Sequence, residues 1–524
     1  MINRARAGVA VFATALCAAA GAAATSGPAH ASAATTQSGR LTPGNLLVSE
    51  SFYTKAPNIV AGQTQLPPGC SGTNCVTAVA NGNYPQVFNN ALVDGSFGVT
   101  SRIFLSEMTP SGIPLGTVTV PPGRLVTSFS SKSELALNLS PDGSTLSFMG
   151  YVAKPADLDV SNSNTPGVID PTNPVPSAYY RAVAQMSANG PLKITQTNAY
   201  SGNNGRAAIT AEAGGQQLIY TAGNAGNGGT PQPDGVILGA GAQLITPGAA
   251  AGTPTPVGSF NITLLGDKPD KIGKDDNFRG LTIFDNVLYY TKGNGVNTVY
   301  FLDTTGKACP QGVGLPAPGA QLPTMPLSYD PDTLQTDGLP SNMCILMGFP
   351  TALKSTTSFP FGVWFANADT LYVADEGNGT NTFADGEYTA AAAQTTAGLQ
   401  KWVFDGSEWK LAYTLQGGLN LGQPYVVPGY PTGTNAATGL PWAPATDGLR
   451  NITGRVNADG TVTIWAITST VSGSGDQGAD PNQLVAITDP LSATSAAAGE
   501  SFRTIRAAGF GEVLRGVSFT PGTR

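Results

Sequence analysis

Arg279-Gly280-Leu281-Thr282-Ile283-Phe284-Asp285-Asn286-Val287-Leu288-Tyr289-Tyr290-Thr291 decides the fold. Apolar and polar residues alternate from Arg279 to Phe284, Asp285-Asn286 supplies a turn, and Val287 to Thr291 runs back as a second strand. After Lys292-Gly293-Asn294-Gly295, a third strand Thr298 to Leu302 ends at the turn Asp303-Thr304-Thr305-Gly306. The unit is a meander of short strands, and it recurs. One copy runs through Phe361 to Phe365, Thr370 to Asp375, Leu399 to Phe404 and Trp409 to Leu415. Another runs through Arg450 to Val456, Thr461 to Thr468, Gln483 to Thr488 and Phe502 to Ala507. Two more begin at Leu135 and Arg206, so equivalent positions fall at 135, 206, 279, 361, 450 and 515, spaced 65 to 89 residues apart.

Four-stranded units at this period are propeller blades. The chain ends complete the ring: Leu514 to Thr520 reads as a first strand with no second after it, and Leu46 to Glu50 as a second strand with no first before it. The expected fold is an all-β propeller of six blades, or seven if an inserted segment holds another. Its C-terminal strand joins the N-terminal blade, where Arg102 to Ser106 and Pro114 to Val120 supply the rest. Gly 66 and Pro 40 suit a turn-rich chain of this kind. The strand Leu371-Tyr372-Val373-Ala374-Asp375 with Glu376-Gly377-Asn378 resembles NHL and YVTN propeller repeats, and Ser140-Pro141-Asp142-Gly143 resembles the turn of TolB-like repeats. These resemblances imply architecture and no activity, since propellers host many functions.

Met1 to Ala33 has the form of a secretory leader, with basic Arg4 and Arg6, an apolar run from Ala7 to Ala24 and small-residue cleavage sites before residue 34. The expected mature chain, 34–524, is a single secreted, monomeric propeller domain that does not enter a membrane. Arg4 and Arg6 leave with the leader and no acid does, so the net charge moves from -7 to -9. That balance argues against nucleic acid or an anionic membrane as partner. His30, the only histidine, leaves as well. A Ser-His-Asp triad, a histidine base and a histidine metal ligand are thereby excluded from the mature protein. Cys70, Cys75, Cys309 and Cys344 remain, and local pairing of Cys70 with Cys75 and Cys309 with Cys344 is expected in an exported chain.

A shorter pattern recurs inside the blades. An Asp, Glu or Asn is followed three residues later by Arg and a small or polar residue, at Asn203/Arg206, Asp276/Arg279, Asp447/Arg450 and Glu512/Arg515. Each Arg opens the first, innermost strand of its blade, so Arg206, Arg279, Arg450 and Arg515 are expected around one mouth of the central channel. The long connections Phe52 to Thr100, Ala153 to Pro176, Gly377 to Gly398 and Gly417 to Thr446 fall at that same face, the candidate binding face.

Two readings stand. In one, each Arg pairs with the preceding acid or with a neighbouring blade and locks the ring. In the other, the guanidinium groups bind an anionic ligand, and the protein acts on an acidic polysaccharide or a phosphorylated compound. Tyr425 and Trp442 lie in the Gly- and Pro-rich loop before Arg450, placed either to stack on a carbohydrate or other flat extracellular ligand or to pin the loop. Asp275 and Asp276, with Asp375 and Glu376, offer carboxylate oxygens of the kind calcium takes, without the spacing of an EF-hand.

Overall fold

The computed structural model describes residues 40–523, apart from 54–56, 79–97, 129–134, 225–240, 253–256, 258–276, 294, 327–341, 353–356, 436–437 and 474–477. The chain divides into Met1–Ala33, which lies outside the described residues with the expected leader, and Ala34–Arg524. Among the described residues no helix is long and apolar enough to cross a membrane.

Ala34–Arg524 forms a six-bladed β-propeller. Blade 1 orders its strands Glu512–Phe519, Leu46–Phe52, Thr100–Met108 and Pro114–Thr119 from the axis outward. Blade 2 follows with Asn138–Leu139, Thr145–Tyr151, Arg181–Ser187 and Lys193–Thr197. Blade 3 has Gly205–Ala213, Gln216–Gly223 and Ala242–Ile245, and blade 4 has Phe278–Phe284, Val287–Lys292, Thr298–Leu302 and Met343–Leu346. Blade 5 comprises Pro360–Asn367, Thr370–Asp375, Gly398–Phe404 and Trp409–Leu415. Blade 6 comprises Ala445–Val456, Thr461–Val471, Gln483–Pro490 and Arg503–Ala507. The first strand of each blade touches the first strand of the next all the way round, which closes the ring.

Closure is made as the termini foretold. Leu46 to Phe52 pairs antiparallel with Phe519 to Glu512. The seam continues where the Thr520 N–H donates to the Asn45 carbonyl at 2.9 Å and the Gly44 N–H to Thr523 Oγ1 at 2.8 Å. The core lies between blades rather than on the axis. Strands such as Val287–Lys292 and Thr370–Asp375 are buried along their whole length, because each blade has a neighbour on both faces. Large rings fill those interfaces, among them Tyr290, Tyr300, Tyr372 and Trp465, each worth a few kcal/mol of burial by area. Both expected disulfides form: Cys70–Cys75 and Cys309–Cys344 have Cα atoms 5.6 Å and 5.8 Å apart.

Candidate functional site

The repeated Arg pattern marks a β-bulge. The first strand loses register against the second between Gly205 and Ala207, between Phe278 and Leu281, between Pro360 and Val363, and between Leu449 and Ile452. In blade 1 the shift skips Arg515, since Ser49 faces Gly516 and Glu50 faces Leu514. A bulge bends the strand and re-aims the side chain at the extra residue. The small residue that follows has a distinct cause. A Cβ on Gly280 would lie 1.8 Å from the Phe361 carbonyl oxygen, one on Gly362 2.5 Å from that of Arg450, and one on Gly516 2.4 Å from that of Leu135. These carbonyls belong to the equivalent position of the next blade. Inner strands therefore approach too closely at these points for a side chain.

The bulges point the guanidinium groups into contacts between blades. Arg279 of blade 4 and Arg450 of blade 6 both bind Glu376, which follows the second strand of the blade between them. Arg279 Nη1 meets Oε1, and Arg450 Nε lies 3.0 Å from Oε2. Phe361 takes the Arg position in blade 5, and both guanidinium carbons lie over its ring, at 5.8 Å and 5.3 Å. Glu376 is 3% exposed, and its single negative charge is shared by two cations, so the trio keeps one net positive charge. Burial is the largest influence on Arg279 and lowers its proton affinity, with Glu376 working in the opposite direction.

Arg206 and Arg515 continue the pattern. Arg206 Nη1 donates to Asn277 Oδ1 of the next blade, which also accepts from Arg279 Nε at 3.1 Å. Arg515 Nε donates to Ser51 Oγ at 3.0 Å, and Nη2 to the Ser128 carbonyl at 3.3 Å. The repeated acids have other tasks. Asp447 accepts from the Gly379 N–H and from Gln394 Nε2, which ties the loop after the second strand of blade 5. Glu512 binds Arg506, which also binds Glu50.

The other expected site residues separate. Asp275 and Asp276 lie outside the described residues. The Asp375 carboxyl accepts the backbone N–H groups of Phe359 and Gly377 at 2.8 Å and 3.0 Å, and burial raises its pKa to about 7. With Glu376 held by Arg279 and Arg450, this pair does not fit calcium: two guanidinium charges stand where a dication would. Trp442 is fully buried in a cluster with Val427, Tyr430, Ala479 and Val513, which leaves no ring face for stacking. Tyr425 packs against that cluster and donates from its hydroxyl to the Pro481 carbonyl at 2.8 Å. Asp303 lies beside Cys309 and Cys344, but its carboxylate accepts from Thr305 and the Ala308 N–H, and both sulfurs are in the disulfide.

Open space occurs at the other end of the channel. Below the Arg tier the inner strands close to a waist of about 10 Å³ bordered by Ala136, Ala207, Gly280, Gly362 and Asn451. Beyond it a cavity of ≈ 680 Å³ opens where the inner strands end, lined by Asn138, Thr282, Phe284, Trp364, Phe365, Thr453 and Ser518 among others. Sequence reasoning favoured the loop-rich face and passed over this one, whose turns are short apart from Lys307 to Asn342. The alternating pattern does hold a signal for it, in Thr282, Trp364 and Thr453 at matching positions beyond the bulge.

No protein-family model and no curated protein matches the chain. The resemblance to NHL, YVTN and TolB-like repeats therefore stays at the level of the propeller architecture. Solved structures similar in fold include the hemagglutinin-neuraminidase ectodomain of parainfluenza virus 5, 10% identical with TM-score 0.31 over 75% of this chain and 76% of that one. Apo AztD from Citrobacter koseri is 10% identical with TM-score 0.29, over 92% of this chain and all of that one. The computationally designed Ika8 protein is 12% identical with TM-score 0.20, over 74% and 97%. Likenesses at this level carry no argument about function.

Proposed function

We propose that this chain is an exported, non-catalytic binding protein, with a structural Arg–acid tier at one end of the channel and an uncharged, carbohydrate-like ligand held at the other. The observation that carries the reading is the commitment of Arg279 and Arg450 to one buried carboxylate between blades. A guanidinium held by a buried carboxylate and stacked on the Phe361 ring must break those contacts to take up a soluble anion.

The ≈ 680 Å³ cavity suits a small neutral molecule. Its described lining contains no His, Cys, Lys, Tyr or Glu, and the hydroxyl–carboxylate pair it does contain, Ser140 with Asp142, closes a turn. Its charged residues are engaged: Asp142 accepts from Ser140 and Ser144, and Arg455 lies over the Trp465 ring at 5.6 Å. What remains is aromatic surface at Phe284, Trp364 and Phe365 beside hydroxyl and amide groups. Sugars present the complementary surface, C–H faces for stacking and hydroxyls for hydrogen bonding. The test is a titration of the purified protein with neutral oligosaccharides, read by tryptophan fluorescence, on wild type and Trp364→Ala. Saturable binding lost in the variant supports the reading. Binding confined to uronate polymers or phosphate esters, and untouched by Trp364→Ala, contradicts it.

A further inference from the structure

Between blades 5 and 6 lies a buried cluster that the binding reading does not use. Lys401 of Gly398–Phe404 and Asp489 of Gln483–Pro490 are both fully buried, with Nζ 2.9 Å from Oδ2. Tyr372 donates its hydroxyl to Asp489 Oδ2 and Tyr413 to Oδ1. Lys401 Nζ also reaches the Tyr413 oxygen at 3.0 Å and the Pro490 carbonyl at 2.7 Å. Both tyrosine rings stand within 5.9 Å of the amine, and the surroundings are aliphatic, with Leu399, Leu415 and Val462 in the same cluster.

A second carboxyl completes the group. Glu500 interacts with the Asp489 side chain and feels the charges of both Asp489 and Lys401. Its Oε2 accepts the Ala497 N–H at 3.0 Å, and its Oε1 is buried with no hydrogen-bond donor among the described residues. Glu500 is half-buried at the edge of the cluster, and burial together with the Asp489 charge raises its pKa, so it takes up a proton more readily than a free glutamate. An amine, a carboxyl beside it and a neighbouring acid to relay protons are the components of amide formation.

We propose that Lys401 and Asp489 condense to a permanent amide across the interface of blades 5 and 6, with Glu500 as the proton relay. The Lys401 ammonium passes one proton to the Asp489–Glu500 pair, leaving a neutral amine beside a neutral acid. The nitrogen lone pair attacks Asp489 Cγ and the N–Cγ bond forms. The Tyr372 and Tyr413 hydroxyls, already donating to the two carboxyl oxygens, stabilise the tetrahedral adduct. A second proton moves from nitrogen through Glu500 to one of those oxygens. The Cγ–O bond breaks and one water leaves, so no oxidant, cofactor or second substrate is required. The amide joins positions 88 residues apart and ties two blades covalently, an advantage for a chain exposed outside the cell.

The experiment is mass spectrometry of the purified, fully reduced full-length mature protein, followed by peptide mapping, for wild type, Glu500→Gln and Lys401→Arg. The expected wild-type mass is lower than the sequence mass by one water. Fragmentation should then give a branched peptide linking Lys401 to Asp489, absent from both variants. Glu500→Gln keeps the amine and its target, so its full mass, with native circular dichroism, separates the relay from folding. A wild-type mass equal to the sequence mass overturns the proposal. A missing water mapped elsewhere, such as to an Asp-Gly succinimide, overturns it too, and a branched peptide persisting in Glu500→Gln removes Glu500 from it.

Discussion

Stability should fall as pH rises from 5 to 8, and Asp375 is one cause. Burial dominates its three hydrogen bonds and raises its pKa from 3.8 to about 7. The sign follows from proton counts. Between the two pKa values the folded protein holds a proton that the unfolded chain has released, so ionisation lowers stability. The contribution is complete below about pH 4 and disappears as pH passes through 7. At ~1.4 kcal/mol per pKa unit, the loss between pH 5 and 8 is about 2–3 kcal/mol. Glu50 is likewise raised to about 7, first by burial and then by Glu512 against the opposing pull of Arg506, and adds a similar amount. Burial pushes Asp142 and Asp303 upward, but their local hydrogen bonds together outweigh it and both shift downward, so their stabilisation is already in place above about pH 5 and does not offset the slope. Urea denaturation at half-unit steps, on wild type and Asp375→Asn, measures it. Stability that is flat or rising from pH 5 to 8, or an unchanged slope in Asp375→Asn, refutes the reasoning.

Glu376→Gln leaves Arg279 and Arg450 without their shared counter-charge and should cost about 3–5 kcal/mol in chemical denaturation, well above an exposed control such as Glu408→Gln. Replacing Cys309 and Cys344 by Ser opens a loop of separation 35 and should cost about 3–4 kcal/mol, against a smaller loss for Cys70 and Cys75, whose separation is 5. Gly280→Val must displace the Phe361 carbonyl, and its soluble yield and melting temperature should fall far below those of Gly123→Ala, a turn position with no neighbour within 4 Å and no positive φ.

Much of the propeller was legible because its signals are local. Alternation from Arg279 to Phe284 and the Asp285-Asn286 turn need no distant contact, and both turn residues adopt the positive φ that Asp and Asn tolerate. The seam was legible because Leu514 to Thr520 and Leu46 to Glu50 are each half of a hairpin. The bulge behind the Arg pattern was less visible, since a register shift is a property of two strands. The partners were hidden for the same reason: Glu376 lies 97 residues from Arg279 and 74 from Arg450, on a turn that reads locally as an acidic loop. Trp442 shows the converse, for a Gly- and Pro-rich loop looks exposed until Val513 and Tyr430 are found packed around it. The cavity belongs to no single stretch, because it is formed where six inner strands end.

The central claim is that the Arg tier joins blades and does not bind ligand. Arg279→Gln and Arg450→Gln, each followed by thermal melting and by calorimetric titration with a uronate polymer and a phosphate ester, test it most directly. The predicted result is a lowered melting temperature in both variants, with no anion binding specific to the wild type. Unchanged melting together with loss of a measurable anion affinity would contradict it.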